Sequence, residues 1–170
     1  TVADMMPMQG ENRTIVRFGL EVLRRARRPG MQALLEVAGV TPSRATVEDI
    51  SFKLAPLINA PGRLDHPQVA LDLLLSPTEE RARRHAAKLL QFNVQRRSLT
   101  KKITTEAQSL VDQTQPNVFA SNQMWPAGVV GLVAGQLAAK YAKPAVVVGG
   151  NGQHAVGSAR SIKGVNILEG

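Results

Sequence analysis

The sequence predicts an α/β chain with a mostly helical N-terminal part, a long connecting helix and a small α/β C-terminal domain holding a βαβ-like unit. Three observations predict it. Apolar residues recur at helical spacing through the first half of the chain. From Thr78 to Thr114 no glycine or proline interrupts, the pattern of one long helix. Beyond Gln115-Pro116, an apolar run, a helical pattern and a valine run follow one another, as strand, helix and strand do.

Composition bounds the function. The chain has 170 residues, 44% of them hydrophobic and only 4% aromatic, so leucine, valine and alanine must fill its core. Lys and Arg number 21 against 13 Asp and Glu, a net charge of +8. Such an excess suits a polyanionic partner such as nucleic acid; a merely soluble basic surface is the other reading. The absence of cysteine excludes disulfides and zinc–thiolate sites and fits a reducing, cytoplasmic setting. No apolar run approaches the roughly 20 residues of a membrane span, so no membrane partner is expected. The chain starts at Thr1 without methionine and stops in mid-pattern at Gly170, and so reads as a piece of something longer.

Taken in order, Thr1–Met8 is an apolar run with one carboxylate, Asp4, that ends at a proline. By residues alone Asp4 reads as a helix cap; a metal-ligand reading needs partners that the chain does not show. Glu11–Arg28 reads as a helix with Ile15, Phe18, Val22 and Ala26 as its apolar stripe. Arg24, Arg25, Arg27 and Arg28 crowd its last turn, where either the helix dipole or a nucleic acid explains them. Pro29-Gly30 breaks that helix, and Met31–Ala38 forms another, stopped by Gly39. Val47 to Ile58 reads as an amphipathic helix bent at Pro56. In Asn59-Ala60-Pro61-Gly62-Arg63, Pro61-Gly62 then reads as a turn presenting Arg63 from a defined place; an ordinary surface arginine is the alternative. After a short helix over Pro67–Leu75, Ser76 and Glu79 have capping-box spacing. The 38 residues from Pro77 to Thr114 would span about 57 Å as one helix. That helix has two apolar ends around a wet middle (Asn93, Arg96, Arg97), which places a domain boundary inside it.

In the last third, Asn117–Ser121 reads as a strand and Trp125–Tyr141 as a helix in which Gly128, Gly131 and Gly135 recur. Glycine costs about 1 kcal/mol in a helix interior, so three of them point to close approach by backbone or ligand. Ala145–Val148 reads as a buried strand, and Gly149, Gly150 and Gly152 as a tight turn. A second extended run from His154 delivers Gly157-Ser158-Ala159-Arg160-Ser161. Alternation along a strand places Ser158 and Arg160 on one face. A hydroxyl and a guanidinium there, beside glycines, suit a phosphate oxygen; a Gly-rich hairpin with a solvated arginine is the plainer reading. Gly150-x-Gly152-x-x-Ala155 lacks the following helix of a dinucleotide fingerprint, and Gly152-x-x-x-x-Gly157-Ser158 lacks the lysine of a P-loop.

Five motifs occur in order: Thr1-Val-Ala-Asp-Met, Glu11-Asn-Arg, Leu54-Ala-Pro-Leu-Ile-Asn-Ala-Pro-Gly-Arg63, Trp125-x-x-Gly-Val-Val-Gly-Leu-Val-Ala134 and Gly157-Ser-Ala-Arg-Ser-Ile162. None is diagnostic alone. Together they resemble RecJ-type single-stranded-DNA exonucleases of the DHH phosphoesterase superfamily, over essentially the whole chain. The resemblance implies that residues 1–39 close a catalytic DHH domain. It implies a helical connector over 40–114 and a truncated DHH-associated, substrate-binding domain over 115–170. It also implies a 5′→3′ exonuclease that hydrolyses phosphodiesters with two Mn²⁺ or Mg²⁺ ions. Such a protein serves DNA repair and recombination, with single-stranded DNA and other DNA-repair proteins as candidate partners. By the same resemblance, Asp4 falls on a metal-binding catalytic carboxylate, which displaces the cap reading. Arg63 and Arg160 fall on catalytic arginines facing phosphate. Asn59, Gly157, Ser158 and Ser161 complete the phosphate-binding set. The chain departs from the pattern in three ways. The Asp-rich and paired-His motifs of the superfamily are absent, so this piece alone does not build the metal centre. Pro126-Ala127 stands where the family usually has a histidine, and Val165-Asn166 where it has Phe-Asp. Two rivals stay open: a non-catalytic nucleic-acid-binding module, and a DHH phosphodiesterase acting on short oligonucleotides or cyclic dinucleotides.

Overall fold

The structure, a computed structural model, describes residues 1–150 and 154–167. Helix α1 runs Gly10–Arg25 and stops short of the expected Arg28. Ala26 takes a left-handed conformation (φ 42) and returns its N–H to the Leu23 carbonyl, closing the helix. Within the expected stripe only Ala26 is buried, with Leu23 beside it; Ile15, Phe18 and Val22 are exposed. The helix is therefore turned so that the edge through Leu23, not the stripe's centre, meets its neighbours. Arg24 Nε donates to the Ala45 carbonyl at 3.0 Å, so this member of the arginine cluster ties α1 to the loop before the next helices.

Helix α2 (Pro29–Val37) begins on the proline expected to break the chain, since proline at a first helical position loses no hydrogen bond. Helix α3 (Val47–Asp49) opens with a capping box: Thr46 and Asp49 exchange side-chain-to-backbone bonds. A π-helical turn, Ile50–Leu54, joins it to α4 (Ala55–Leu64). The Ala55 N–H reaches back to the Ile50 carbonyl. This wide turn lies immediately before Pro56, which has no N–H to offer a regular helix. The expected Pro61-Gly62 turn does not form. Both residues lie inside α4, and the Pro61 side chain is fully buried. That burial offsets part of the roughly 3 kcal/mol that an internal helix proline costs.

Helix α5 spans Gln68–Leu74, and α6 spans Glu79–Ser109. The expected cap, Ser76, instead donates its hydroxyl to the Asp72 carbonyl at 2.7 Å. Thr78 takes the capping position, accepting the Arg81 N–H at 3.4 Å. At its other end α6 falls short of Thr114. Asp112 accepts both the Thr114 N–H (2.9 Å) and the Thr114 hydroxyl (2.7 Å), a local turn that competes with the helix. The same bonds hold the Asp112 carboxyl below its ordinary range. The 31 residues of α6 span about 46 Å.

The chain divides into two compact units, Thr1–Val94 and Gln95–Gly170. The first has a leucine- and alanine-rich core that includes Leu34, Leu35, Leu57, Leu73, Ala82, Ala86 and Leu89. In the second, strand β1 (Val118–Ser121), helix α7 (Ala127–Tyr141), and strands β2 (Ala145–Gly150) and β3 (Ala155–Arg160) build a three-stranded sheet. The order is β1-β2-β3, with β1 and β2 parallel (Val118 opposite Ala145) and β2 and β3 antiparallel (Val147 opposite Ser158). Trp125, Val129, Val130, Val133, Leu137, Ala145 and Val147 are buried there. Trp125 Nε1 donates to Glu106 at 2.9 Å, and Thr104 donates to Gln136 at 2.6 Å. These bonds fix the C-terminal stretch of α6 within this unit. Helix α7 starts at Ala127, not Trp125, because Pro126 is its extended N-cap residue. Gly149 and Gly150 continue β2 and do not turn. A Cβ on Gly149 would lie 2.3 Å from the Trp125 carbonyl oxygen, so glycine is needed there for close approach. Gly152, the third residue of the expected turn, lies outside the described residues.

Candidate active site

The candidate residues fall into two groups, one in each unit. In the second unit, β3 carries Gly157, Ser158 and Arg160. Gly157 pairs with Val148, Ser158 with Val147 and Arg160 with Ala145. Val147 and Ala145 belong to the buried face of β2, so Ser158 and Arg160 share that face, as strand alternation requires. Both reach one place on α7. A Cβ built on Gly131 would lie 3.0 Å from Ser158 Oγ and 3.5 Å from an Arg160 guanidinium nitrogen. Arg160 stays exposed and donates to the Ala159 carbonyl at 3.3 Å. A half-buried hydroxyl beside an exposed guanidinium can donate together to neighbouring oxygens of one phosphate. Ser161 plays a different part. Its hydroxyl donates to the Ile162 carbonyl at 3.3 Å and also to the Val165 carbonyl, closing the turn after β3. Among the described residues from His154 to 167 the chain forms a strand and no helix, which agrees with rejecting the dinucleotide lookalike.

In the first unit, Asn59 and Arg63 stand one helical turn apart on α4 and so share a face. The turn expected before Arg63 is absent; the helix instead sets this residue beside Asn59, half-buried near the C-terminal end. Asn59 also lines a groove of ≈ 870 Å³ together with Thr1, Val2, Ala3 and apolar residues of α1 such as Ile15 and Leu20. The segment leading to Asp4 and the face carrying Asn59 thus meet at one groove. Asp4 caps no helix: α1 begins at Gly10, after Gln9. Its carboxylate accepts from the Thr1 amino group at 3.4 Å, and its side chain is 79% exposed. Among the described residues no group of three His, Cys, Asp or Glu side chains is placed to hold a metal ion. Asp4 is one candidate ligand, and the residues present do not by themselves fit a two-metal centre. Of the α7 glycines, Gly131 faces Ser158 and Arg160, whereas a Cβ on Gly135 would meet nothing within 4 Å.

No family model matches the chain. The chain is 38% identical over 174 residues to the single-stranded-DNA-specific exonuclease RecJ of Bacillus subtilis, matching 99% of the chain and 22% of that relative. It also superposes on crystal structures of Thermus thermophilus RecJ in complex with Mn²⁺ and with Mg²⁺. Each match has a TM-score of 0.88 at 27% identity and covers 99% of this chain. These matches cover 25% and 26% of the Thermus chains. The chain is thus homologous to RecJ exonucleases throughout, while spanning about a quarter of the length of these relatives.

Proposed function

We propose that this chain, homologous along its whole length to part of RecJ, works as a segment of a 5′→3′ single-stranded-DNA exonuclease. Residues 1–39 would close its catalytic domain, 40–114 connect, and 115–170 bind substrate. The observation that carries the reading is the convergence of Ser158 and Arg160 beside Gly131. In this reading Ser158 donates to a phosphate oxygen of the strand, and Arg160 grips a second oxygen with its planar fork. Charge that develops on those oxygens during hydrolysis meets donors already in place. Within the first unit, Arg63 supplies positive charge for a phosphate, with Asn59 beside it on α4. Gly157 lets the backbone approach the strand closely. Ser161 shapes the turn that follows Arg160. Asp4 supplies one carboxylate to a centre for Mn²⁺ or Mg²⁺, the ions held by the Thermus relative. Its other ligands lie outside this segment. In the same reading the parent protein is cytoplasmic and serves DNA repair and recombination, with single-stranded DNA and other repair proteins as partners. No helix of the described residues is long and apolar enough to cross a membrane.

The test is cleavage by the enzyme that carries this segment, given Mn²⁺ and single strands labelled at either end. The proposal expects mononucleotide release from the 5′ end and no cleavage of duplex. Hydrolysis confined to dinucleotides or cyclic dinucleotides would contradict it, as would binding of single strands with no cleavage.

A further inference from the structure

We infer that Gly131 is a positioning residue for the phosphate-binding pair, its missing side chain being the space in which the Ser158 hydroxyl and the Arg160 guanidinium are seated. The inference rests on the reading of Ser158 and Arg160 given above. Gly131 lies in the interior of α7, where glycine is a poor helix former. Its backbone does not require glycine, because the positive-φ glycines described are Gly10, Gly39 and Gly164. What surrounds it favours glycine. A Cβ there would stand 3.0 Å from Ser158 Oγ, 3.7 Å from Ser158 Cβ and 3.5 Å from Arg160 Nη2. The first distance is too tight for an ordinary contact, so Ser158 would have to shift by a few tenths of an ångström or rotate its hydroxyl. Either change moves the donor away from the place beside Gly131 that it shares with Arg160. Gly135, one turn further along the same helix, has nothing within 4 Å of a built Cβ. The two glycines therefore separate helix propensity from site geometry within one element.

The experiment uses the full 170-residue chain. It measures affinity for a single-stranded oligothymidylate at low salt, alongside melting temperature. The proteins are the unmodified chain, Gly131→Ala, Gly135→Ala, Ser158→Ala, Arg160→Ala and the Gly131→Ala/Ser158→Ala double variant. Gly131→Ala is expected to weaken binding several-fold, about as much as Ser158→Ala, with an unchanged or higher melting temperature. Gly135→Ala raises the melting temperature and leaves binding alone. The double variant binds no worse than Ser158→Ala, because the alanine acts through a hydroxyl already removed. Unchanged binding by Gly131→Ala, with Ser158→Ala and Arg160→Ala both weakened, would overturn the inference and leave the phosphate reading standing. Unchanged binding by Ser158→Ala and Arg160→Ala would overturn both. If Gly131→Ala lowers the melting temperature, Ser158→Ala in the same chain should restore it; failure to do so would place the collision elsewhere and overturn the inference.

Discussion

Asp49 binds its proton poorly in the folded chain. Lys53, 2.7 Å away, and the Thr46 hydroxyl and N–H hold its pKa down from 3.8 to about 2. The unfolded chain therefore takes up a proton first as pH falls. The carboxylate's contribution to stability is complete above about pH 4 and is lost as pH falls through about 2. Asp49→Asn should flatten the acid limb of the melting-temperature profile over that window and change it little near neutrality beyond a constant offset. An unaltered acid limb would contradict this. Thr46 and Asp49 have cap spacing, but with Asp in place of the usual Glu or Gln at the third helical position the signature is weak in the sequence. Ser158 and Arg160 were legible, since side-chain alternation needs only that the run be extended. Asp4 enters the candidate site only through resemblance: one exposed carboxylate carries no local signature of what it faces.

Elements were legible where apolar periodicity is long and failed where side chains compete with the backbone for its hydrogen bonds. The strand–helix–strand order of the second unit follows from valine runs around an apolar helix. The end of α6 was missed because Asp112 closes a local turn well before Pro116. Pro61-Gly62 was misread because a dipeptide that usually turns the chain is here carried inside a helix whose proline is buried. Gly149 was rightly noted but for the wrong reason, since it serves the meeting of β2 with the Trp125 carbonyl. Gly149→Ala forces a Cβ to within 2.3 Å of that oxygen and 2.7 Å of Val130 Cγ1. Overpacking of this kind costs about 1–3 kcal/mol or more. Gly157→Ala meets only Val148 Cγ2, at an ordinary 3.6 Å. Urea unfolding of the two variants should show a large loss for the first and little for the second. Equal losses would mean that β2 and Trp125 do not meet as described.

At the scale of the molecule, a net charge of +8 with few aromatic residues favours binding of single strands through phosphates, not through stacked bases. The affinity of the 170-residue chain for an oligonucleotide should fall steeply with salt, and a salt-independent constant would exclude the idea. Diffuse charge attracts any polyanion, however. What would make this chain part of a nuclease is one arginine held where a phosphodiester breaks. Two oxygens gripped by a planar fork are not equally served by an ammonium, which acts as a point charge. Losing one preorganised donor at developing charge costs about 2.7–4 kcal/mol, or about 10²–10³ in rate. Arg160 is exposed, so stability should barely change. The most direct test is single-turnover cleavage of a single-stranded oligonucleotide at saturating Mn²⁺ by the enzyme carrying this segment, unmodified or with Arg160→Lys or Arg160→Ala, alongside the melting temperatures. The phosphate clamp predicts that both variants lose about 10²–10³ in rate at an unchanged melting temperature; near-equal rates in all three proteins would contradict it.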